Sequence, residues 1–157
     1  AQRVKELSEY RSEFFGKLKE IIGNRDDIKI IGDRFVFQSE VLFDSGEANI
    51  GIEGQRRLAK LSVAIQDLIN EIPQEINWIL RIDGHTDRVP IRNSRYESNW
   101  ELSAARAISV VDFLIKTGIP PNRLAATGRG EFMPLETGDN EIAYKKNRRI
   151  EIKLTES

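Results

Sequence analysis

Apolar residues recur every three or four positions in three segments of the chain, and this period predicts helices. The segments are residues 4–22, 53–72 and 99–116. Pro73 ends the second helix, because proline lacks the amide hydrogen that a helix interior uses. For the third helix we expect an inner face built from apolar residues at helical spacing, namely Leu102, Ala105, Ile108, Val111 and Ile115.

Other segments alternate apolar and polar residues, as strands do when they bury one face. Residues 76–83, 124–127 and 149–154 predict three such strands. Residues 28–31 and 34–38 predict two more, and Gly32-Asp33 between them is typical of a hairpin turn. Because one-sided strands alternate with helices, the sequence predicts an α/β (α+β) two-layer sandwich, in which a mixed sheet carries its helices on one face.

The first helical segment stands apart, so we divide the chain into an N-terminal helix and linker, residues 1–27, and a domain, residues 28–157. Its apolar strip is narrow, and a helix of this length is marginal in water without packing partners. We therefore expect the strip to be buried, and three arrangements stay open: packing on the domain, a homodimer through this helix, and an upstream stalk. The homodimer is slightly favoured, because two weak sites gain avidity on one polymer. The strip consists of Val4, Leu7, Phe14, Leu18 and Ile21 and ends at Gly23-Asn24.

Composition excludes several classes of partner. The chain has 157 residues and a net charge of -1, so no broad basic field invites nucleic acid or anionic lipid. Cysteine is absent, which excludes disulfides and thiolate metal sites. No apolar run approaches the roughly 18 residues of a membrane helix, and no secretory signal is visible. The chain begins at Ala1 inside a predicted helix, so we expect that any membrane anchor of the parent protein lies upstream.

Two charged residues suggest a recognition site. Asp87 directly follows the strand predicted at 76–83, where open sheets tend to bind ligands. Arg106 lies on the third predicted helix, and Asn99, seven residues earlier, shares its face, which we expect to differ from the side of Ala105 and Ile108. A carboxylate can receive an ammonium group, and a guanidinium can hold a carboxylate with two parallel hydrogen bonds. The pair predicts a pocket for a small zwitterion, while a turn-capping Asp87 and a surface ion pair at Arg106 remain alternatives.

The residues give little support for catalysis. His85 is the only histidine, and we interpret it as a neutral side chain that supports its loop rather than as a metal ligand or general base. A Gly-x-Ser-x-Gly motif is absent, and the glycines at 128 and 130 lack the remaining residues of a nucleotide-binding loop. We therefore expect no catalytic residue, no metal and no cofactor. Arg148 and Arg149 are interpreted as an ordinary loop-to-strand junction.

Five short motifs in this order resemble the OmpA-like C-terminal domain family, which includes OmpA, Pal and MotB. Each motif alone is weak, but together they cover about residues 34–154 and are highly specific. The insert at 89–98 resembles the MotB branch, and Arg88 departs from the Asn usual in the family. The motifs are LFDSG at 42–46, IDGHTD at 82–87, NWELSAARA at 99–107, ATGRGE at 126–131 and NRRIE at 147–151.

The resemblance implies non-covalent binding of peptidoglycan through the diaminopimelate of its stem peptide. By motif, Asp87 would take the ammonium and Arg106 the carboxylate, Asn99 and Leu102 would line the pocket, and Phe43 and Asp44 would close it. The domain would face the periplasm and anchor a cell-envelope protein to the wall, without turnover. Two rivals remain: a motor stator subunit with gated wall binding, and a wall-peptide hydrolase acting through His85 and Asp87, which the lack of a second His or a nucleophile disfavours.

Overall fold

The computed structural model describes residues 2–22, 28–91 and 95–156, and these residues form a mixed sheet with helices packed on it. The strands are β1 (Ile28–Ile31), β2 (Arg34–Gln38), β3 (Trp78–His85), β4 (Leu124–Gly128) and β5 (Arg149–Glu156). The helices are α1 (Gln2–Ile22), α2 (Ser39–Leu42), α3 (Ile52–Glu71), α4 (Asn99–Lys116) and α5 (Glu141–Asn147). The short helices α2 and α5 were not predicted. Within the described ranges, none of the helices is long and apolar enough to cross a membrane.

The strand order is β1-β2-β5-β3-β4. Strand β5 is antiparallel to both β2 and β3, whereas β3 and β4 run parallel. Strands β1 and β2 form the predicted hairpin, and its turn uses Gly32 at a φ of 61°, a conformation that glycine adopts without steric cost. The mixed sheet and the two-layer architecture are therefore confirmed.

One face of the sheet carries the apolar core. Cross-strand neighbours on this face include the pairs Leu80 with Leu154 and Ile82 with Ile152, and all four side chains are buried. Side chains from α3 and α4 complete the same core cluster, as the one-sided alternation predicted. The predicted strand start at Ile76 is two residues early, although Ile76 is itself buried.

The predicted inner face of α4 is correct at Leu102, which is buried, and at Val111, which packs against the core, but it is wrong at Ile108 and Ile115. Ile108 is 50% exposed and Ile115 36% exposed, whereas Ser103, Arg106, Ala107, Val110 and Leu114 are buried. The reason lies in two strand-end glycines: a Cβ on Gly84 would lie 2.1 Å from the Ser103 oxygen, and one on Gly128 would lie 2.7 Å from the Ala104 nitrogen. The helix thus sits almost on the strand backbones at these glycines. This close approach turns the face with Ser103 and Ala107 inward and leaves Ile108 and Ile115 on the outer side.

Helix α1 packs on its own domain where its side chains are described. Leu7 and Phe14 are buried in the core cluster. The guanidinium of Arg11 donates two hydrogen bonds to the Leu154 carbonyl, at 3.1 and 2.9 Å, and Phe15 packs edge-on against Phe35 at 4.5 Å between ring centroids. These contacts are those expected when α1 packs on its own domain. The homodimer through α1 stays a prediction. The side chains of Val4, Leu18 and Ile21 and the predicted stop at Gly23-Asn24 lie outside the described residues.

Candidate functional site

A cavity of about 540 Å³ lies among the loops that leave α2 and β3, the first turns of α4, and the junction between α5 and β5. Five of the six predicted ligand-binding residues line it, namely Phe43, Asp87, Asn99, Leu102 and Arg106. The sixth, Asp44, is exposed and is not among the lining residues. The fold thus brings together side chains that stand up to 63 positions apart in the sequence.

Both oxygens of the Asp87 carboxylate accept hydrogen bonds from neighbouring groups. One oxygen, Oδ1, accepts a hydrogen bond from the Val89 amide at 3.0 Å, as in a turn that an aspartate caps. The other, Oδ2, accepts from Nη1 of Arg148 at 2.6 Å. Only 8% of the residue is exposed, so these two partners enclose most of the carboxylate. A ligand ammonium that approaches Oδ2 meets a site already occupied by a cation.

Arg106 is buried rather than partly accessible, with 4% exposure. Its Nε donates to the Glu47 carbonyl at 2.7 Å, its Nη2 donates to the Asp44 carbonyl at 3.2 Å, and its guanidinium lies 5.0 Å from the centroid of the Phe43 ring. Burial lowers the pKa of Arg106 below its ordinary value. The side chain therefore ties residues 43–47 to α4 in addition to lining the cavity. Contrary to expectation, it shares the buried face of α4 with Ala107 and Val110.

Asn99 fixes the loop that carries Asp87. Its Nδ2 lies 3.3 Å from the Asp87 carbonyl oxygen and 3.2 Å from that of Val89, in hydrogen-bonding geometry with both. The preceding Ser98 caps α4 by accepting from the Glu101 amide, which sets where the helix begins. Asn99 and Arg106 lie two turns apart on α4. Asn99 contacts the loop after β3, and Arg106 contacts the loop after α2. Both sides of the cavity are thereby held by α4.

Arg148 is one of the lining residues that the sequence interpretation missed. Its Nη1 binds Asp87, its Nε donates to Glu40 at 2.5 Å, and its Nη2 donates to Glu141 at 2.7 Å. Burial opposes the charge of Arg148, but hydrogen bonds to Glu141, Asp87 and Glu40 outweigh it, so the pKa lies above its ordinary value. The only local signal was the Arg-Arg pair itself, since Glu40 and Asp87 are 108 and 61 residues away along the chain.

A second charged cluster lies on the sheet face opposite the apolar core, and we call it the polar sheet face: Arg34, Arg81, Asp83, His85, Arg149 and Glu151. His85 projects here and does not line the cavity, and its Nε2 is 3.7 Å from Glu151. Neither ring nitrogen of His85 has a hydrogen-bond partner within the described structure. His85 is therefore not placed to act as a general base on a ligand in the cavity.

Asp83, His85 and Glu151 each offer one possible metal-ligand atom, and these atoms lie within 4.8 Å of one another. The carboxylates of Asp83 and Glu151 already form ion pairs with arginine side chains. Arg81 binds Asp83 through Nε at 2.9 Å and through Nη2 at 3.0 Å. Glu151 accepts from Arg34 at 2.7 Å and from Arg149 at 2.6 Å. Three guanidinium groups around two carboxylates disfavour a divalent cation at this position.

Curated relatives are similar over most of this chain. It is 34% identical over 139 residues to the uncharacterized protein YtxE of Bacillus subtilis, covering 88% of this chain and 53% of that protein. It is 35% identical over 116 residues to motility protein B of the same organism, covering 73% of this chain and 42% of the relative. The chain thus spans about half the length of these relatives.

Solved structures share the fold. A putative MotB-like protein from Desulfovibrio vulgaris superposes with a TM-score of 0.83 at 28% identity, over the full length of both chains. The cell wall anchor of the T6SS from Pseudomonas aeruginosa gives a TM-score of 0.71 at 26% identity, covering 96% of this chain and 97% of the other. The periplasmic domain of Helicobacter pylori MotB gives 0.69 at 25% identity, covering 85% and 80%. The model of the OmpA family matches residues 42–148, which include all of the cavity lining except Ser39 and Glu40, and the chain belongs to that family.

Proposed function

We propose that this domain binds peptidoglycan non-covalently, through the diaminopimelate of a stem peptide, and so anchors a cell-envelope protein to the cell wall. The observation that carries the proposal is the cavity of about 540 Å³ that Asp87, Arg106 and Arg148 line together. Charges of both signs around one small cavity suit a zwitterionic head group, because each ligand charge finds an opposite partner.

The donors and acceptors support this assignment. A guanidinium has five N–H donors, and the contacts of Arg106 use one on Nε and one on Nη2, so three remain for a ligand carboxylate. Asp87 offers Oδ2 to an ammonium once Arg148 shares or leaves it. Leu102 and Phe43 add apolar wall beside these charges, which suits the methylene chain between the two ends of diaminopimelate.

The comparisons support a place in the cell envelope. Relatives include motility protein B and a cell wall anchor, and the similar Helicobacter pylori structure is a periplasmic domain. We infer that residues 28–157 act at the periplasmic face, and that residues 1–27 link them to a membrane-anchored parent, with a homodimer through α1 as its assembled form. Binding alone requires no catalytic residue, and the position of His85 outside the cavity lining gives no support to the hydrolase alternative.

A second candidate, a motor stator subunit with gated wall binding, is favoured by the similarity to motility protein B. A proton-driven motor needs an ionisable group within the membrane. A transmembrane helix with one buried aspartate in the parent protein would support the stator, and an anchor without an ionisable residue would support a passive tether.

The proposed function is tested by sedimentation with purified, protein-free peptidoglycan. Asp87→Asn keeps the size of the side chain and removes its charge, so the variant should remain in the supernatant while the wild-type domain pellets with the wall. Asp112→Asn changes an exposed aspartate on α4 outside the cavity and should pellet like the wild type. Equal pelleting of Asp87→Asn and the wild type would overturn the assignment.

A further inference from the structure

Two aromatic rings stack on the surface beside the cavity, and we call them the aromatic pair. Trp100, in the first turn of α4, and Phe132, in the loop after β4, lie 5.1 Å apart between ring centroids with 27° between their planes. They are 52% and 61% exposed, and neither is among the residues that line the cavity. We propose that the aromatic pair is a second binding site, on which an N-acetylated sugar ring of the peptidoglycan glycan strand stacks. The inference rests on the proposed function and adds a carbohydrate contact to the peptide contact.

Backbone contacts hold the aromatic pair in place. The Gly130 amide donates to Oγ of Ser103 at 3.0 Å, and that hydroxyl donates to the Trp100 carbonyl at 3.0 Å. Gly130 has a φ of 62°, which glycine adopts without steric cost, and a Cβ at this position would lie 3.4 Å from atoms of both rings. The loop after β4 is thus fastened to the first turn of α4 beside the rings. Stacking a ligand on them immobilises little that is not already fixed.

The open ring face suits the chemistry of a sugar. Phe132 is 61% exposed although Trp100 covers one face of its ring, so the other face is open to solvent. The face of an aromatic ring carries partial negative charge, and the C–H groups on the flatter face of a pyranose carry partial positive charge. The hydroxyl and acetamido groups at the rim of the sugar remain in water or reach polar neighbours, such as the half-buried Glu131.

The size of the aromatic pair favours a sugar over a protein surface. A fully covered aromatic side chain buries roughly 150–250 Å², so two half-exposed rings offer about that area together. A stable protein–protein interface takes about 800 Å² from each partner. Even with the exposed parts of Met133 and Leu135, the apolar surface here stays well below that value.

The aromatic pair lies within reach of a sugar attached to a stem peptide in the cavity. Asn99 lines the cavity and Trp100 follows it in the chain, so their Cα atoms are about 3.8 Å apart. The amide of Thr86, in the cavity wall, donates to the Gly130 carbonyl at 2.8 Å, which connects this wall to the loop that carries Phe132. In a stem peptide two residues separate diaminopimelate from the sugar, and they span at most about 7 Å.

A purely structural role for the aromatic pair predicts a different result. If the rings only fasten the loop after β4 to α4, their removal weakens every ligand of the cavity by a similar factor. If they bind the sugar, their removal weakens only a ligand that carries the sugar. The two roles are therefore separated by comparing a peptide with and without its sugar.

The test is calorimetric titration of the domain with a synthetic stem tripeptide that ends in meso-diaminopimelate, and with the same tripeptide attached to the disaccharide of N-acetylglucosamine and N-acetylmuramic acid. We expect the wild type to bind the disaccharide tripeptide about five- to tenfold more tightly. In Phe132→Ala this gain should fall to within about twofold, while the affinity for the tripeptide stays unchanged. Phe132→Tyr retains an aromatic face and should retain the gain. Val63→Ala is the matched control, because Val63 is 56% exposed on α3 and outside the cavity lining.

Tryptophan fluorescence gives a second readout. The chain has two tryptophans, and Trp78 is 1% exposed, so quenching by a solute such as acrylamide reports chiefly on Trp100. The disaccharide tripeptide should protect Trp100 from quenching, whereas the tripeptide alone should not. Equal quenching with both ligands would contradict a sugar on the aromatic pair.

The outcomes of the titration separate the sugar site from the proposed function. An undiminished gain in Phe132→Ala, loss of the gain in Phe132→Tyr, or equal weakening of both ligands would overturn the sugar site. Equal wild-type affinity for the two ligands would overturn it while leaving the proposed function intact, and binding of neither ligand would overturn both. Self-association of the wild type that is lost in Phe132→Ala would overturn it in favour of a second copy of this chain. If Phe132→Ala does not fold, Phe132→Leu replaces it: without an aromatic face the gain should again be lost, and a retained gain would contradict the proposal.

Discussion

Arg106 donates through Nε to the backbone oxygen of Glu47 at a distance of 2.7 Å. A side chain that we expected to bind a ligand therefore also stabilises the fold. The contact joins α4 to the loop that follows α2, across 59 positions of sequence. We therefore expect that a substitution at Arg106 affects both ligand binding and stability.

Replacing Arg106 by alanine should lower the free energy of unfolding by about 2–4 kcal/mol, because two hydrogen bonds from a buried charged donor are lost. Chemical denaturation monitored by circular dichroism measures the change. Arg56→Ala provides the control, since Arg56 makes an exposed contact with Glu53 on α3 and should shift stability by less than about 0.5 kcal/mol. An Arg106→Ala variant as stable as the control would refute the scaffold role.

The close approach of α4 to the sheet predicts an intolerance at Gly84. Gly84→Ala would place a Cβ 2.1 Å from the Ser103 oxygen, so the helix must shift and the variant should lose about 1–3 kcal/mol or more. Gly16→Ala on α1 meets no atom within 4 Å and should instead gain up to about 1 kcal/mol from helix propensity. Thermal unfolding of the two variants compares their stabilities directly. A Gly84→Ala variant as stable as the wild type would contradict the close packing of α4 on the sheet.

The polar sheet face predicts a loss of stability in acid. Burial disfavours the charged form of Glu151, but interactions with His85, Arg34 and Arg149 prevail, so its pKa lies well below the ordinary value of 4.5. A depressed pKa in the folded state contributes stability that is fully present above that ordinary value and is lost as the pH falls below it. The free energy of unfolding, measured from pH 7 down to about pH 3, should therefore decline below about pH 4.5.

Glu151→Gln should remove part of that decline and cost about 3–5 kcal/mol near neutral pH, because Arg149 stays buried without its partner. Glu53→Gln, at an exposed carboxylate on α3, should keep the wild-type pH profile. An unchanged pH profile in Glu151→Gln would show that the stabilising interaction lies elsewhere.

The packing of α1 makes a prediction about a single aromatic residue. Phe14 is 1% exposed within one chain, so Phe14→Ala should destabilise the domain by about 3–5 kcal/mol even at high dilution. Phe132→Ala, at a ring that is 61% exposed, should cost much less. Were α1 held only by a second copy, the effect of Phe14→Ala would vanish below the dissociation concentration of the dimer.

The proposed homodimer has its own test, which is sedimentation of the domain with and without residues 1–23. A homodimer through α1 predicts that the longer form is dimeric and the shorter form monomeric. If both are monomers well above micromolar concentration, the homodimer is wrong and α1 is an intramolecular brace.

The sequence predicted the parts of the site that depend on local pattern. Alternation in β3 placed Asp87 just beyond a strand end, and the two-turn spacing placed Asn99 and Arg106 on one helix face. The inner side of α4 was predicted wrongly at Ile108 and Ile115, because apolar residues occur on both sides of the helix. Its close approach to Gly84 and Gly128 decides which side packs on the sheet. Arg148 was missed for a similar reason, since its carboxylate partners are brought together by the tertiary fold.

The most direct test of the proposed binding site is a titration of the ¹⁵N-labelled domain with a diaminopimelate stem peptide, followed by amide chemical shifts. We predict saturable shifts at Thr86, Asp87, Asn99 and Arg106, which line the cavity, and little change at Asp83 and Glu151 on the polar sheet face. Shifts confined to the polar sheet face, or none at millimolar peptide, would contradict the account.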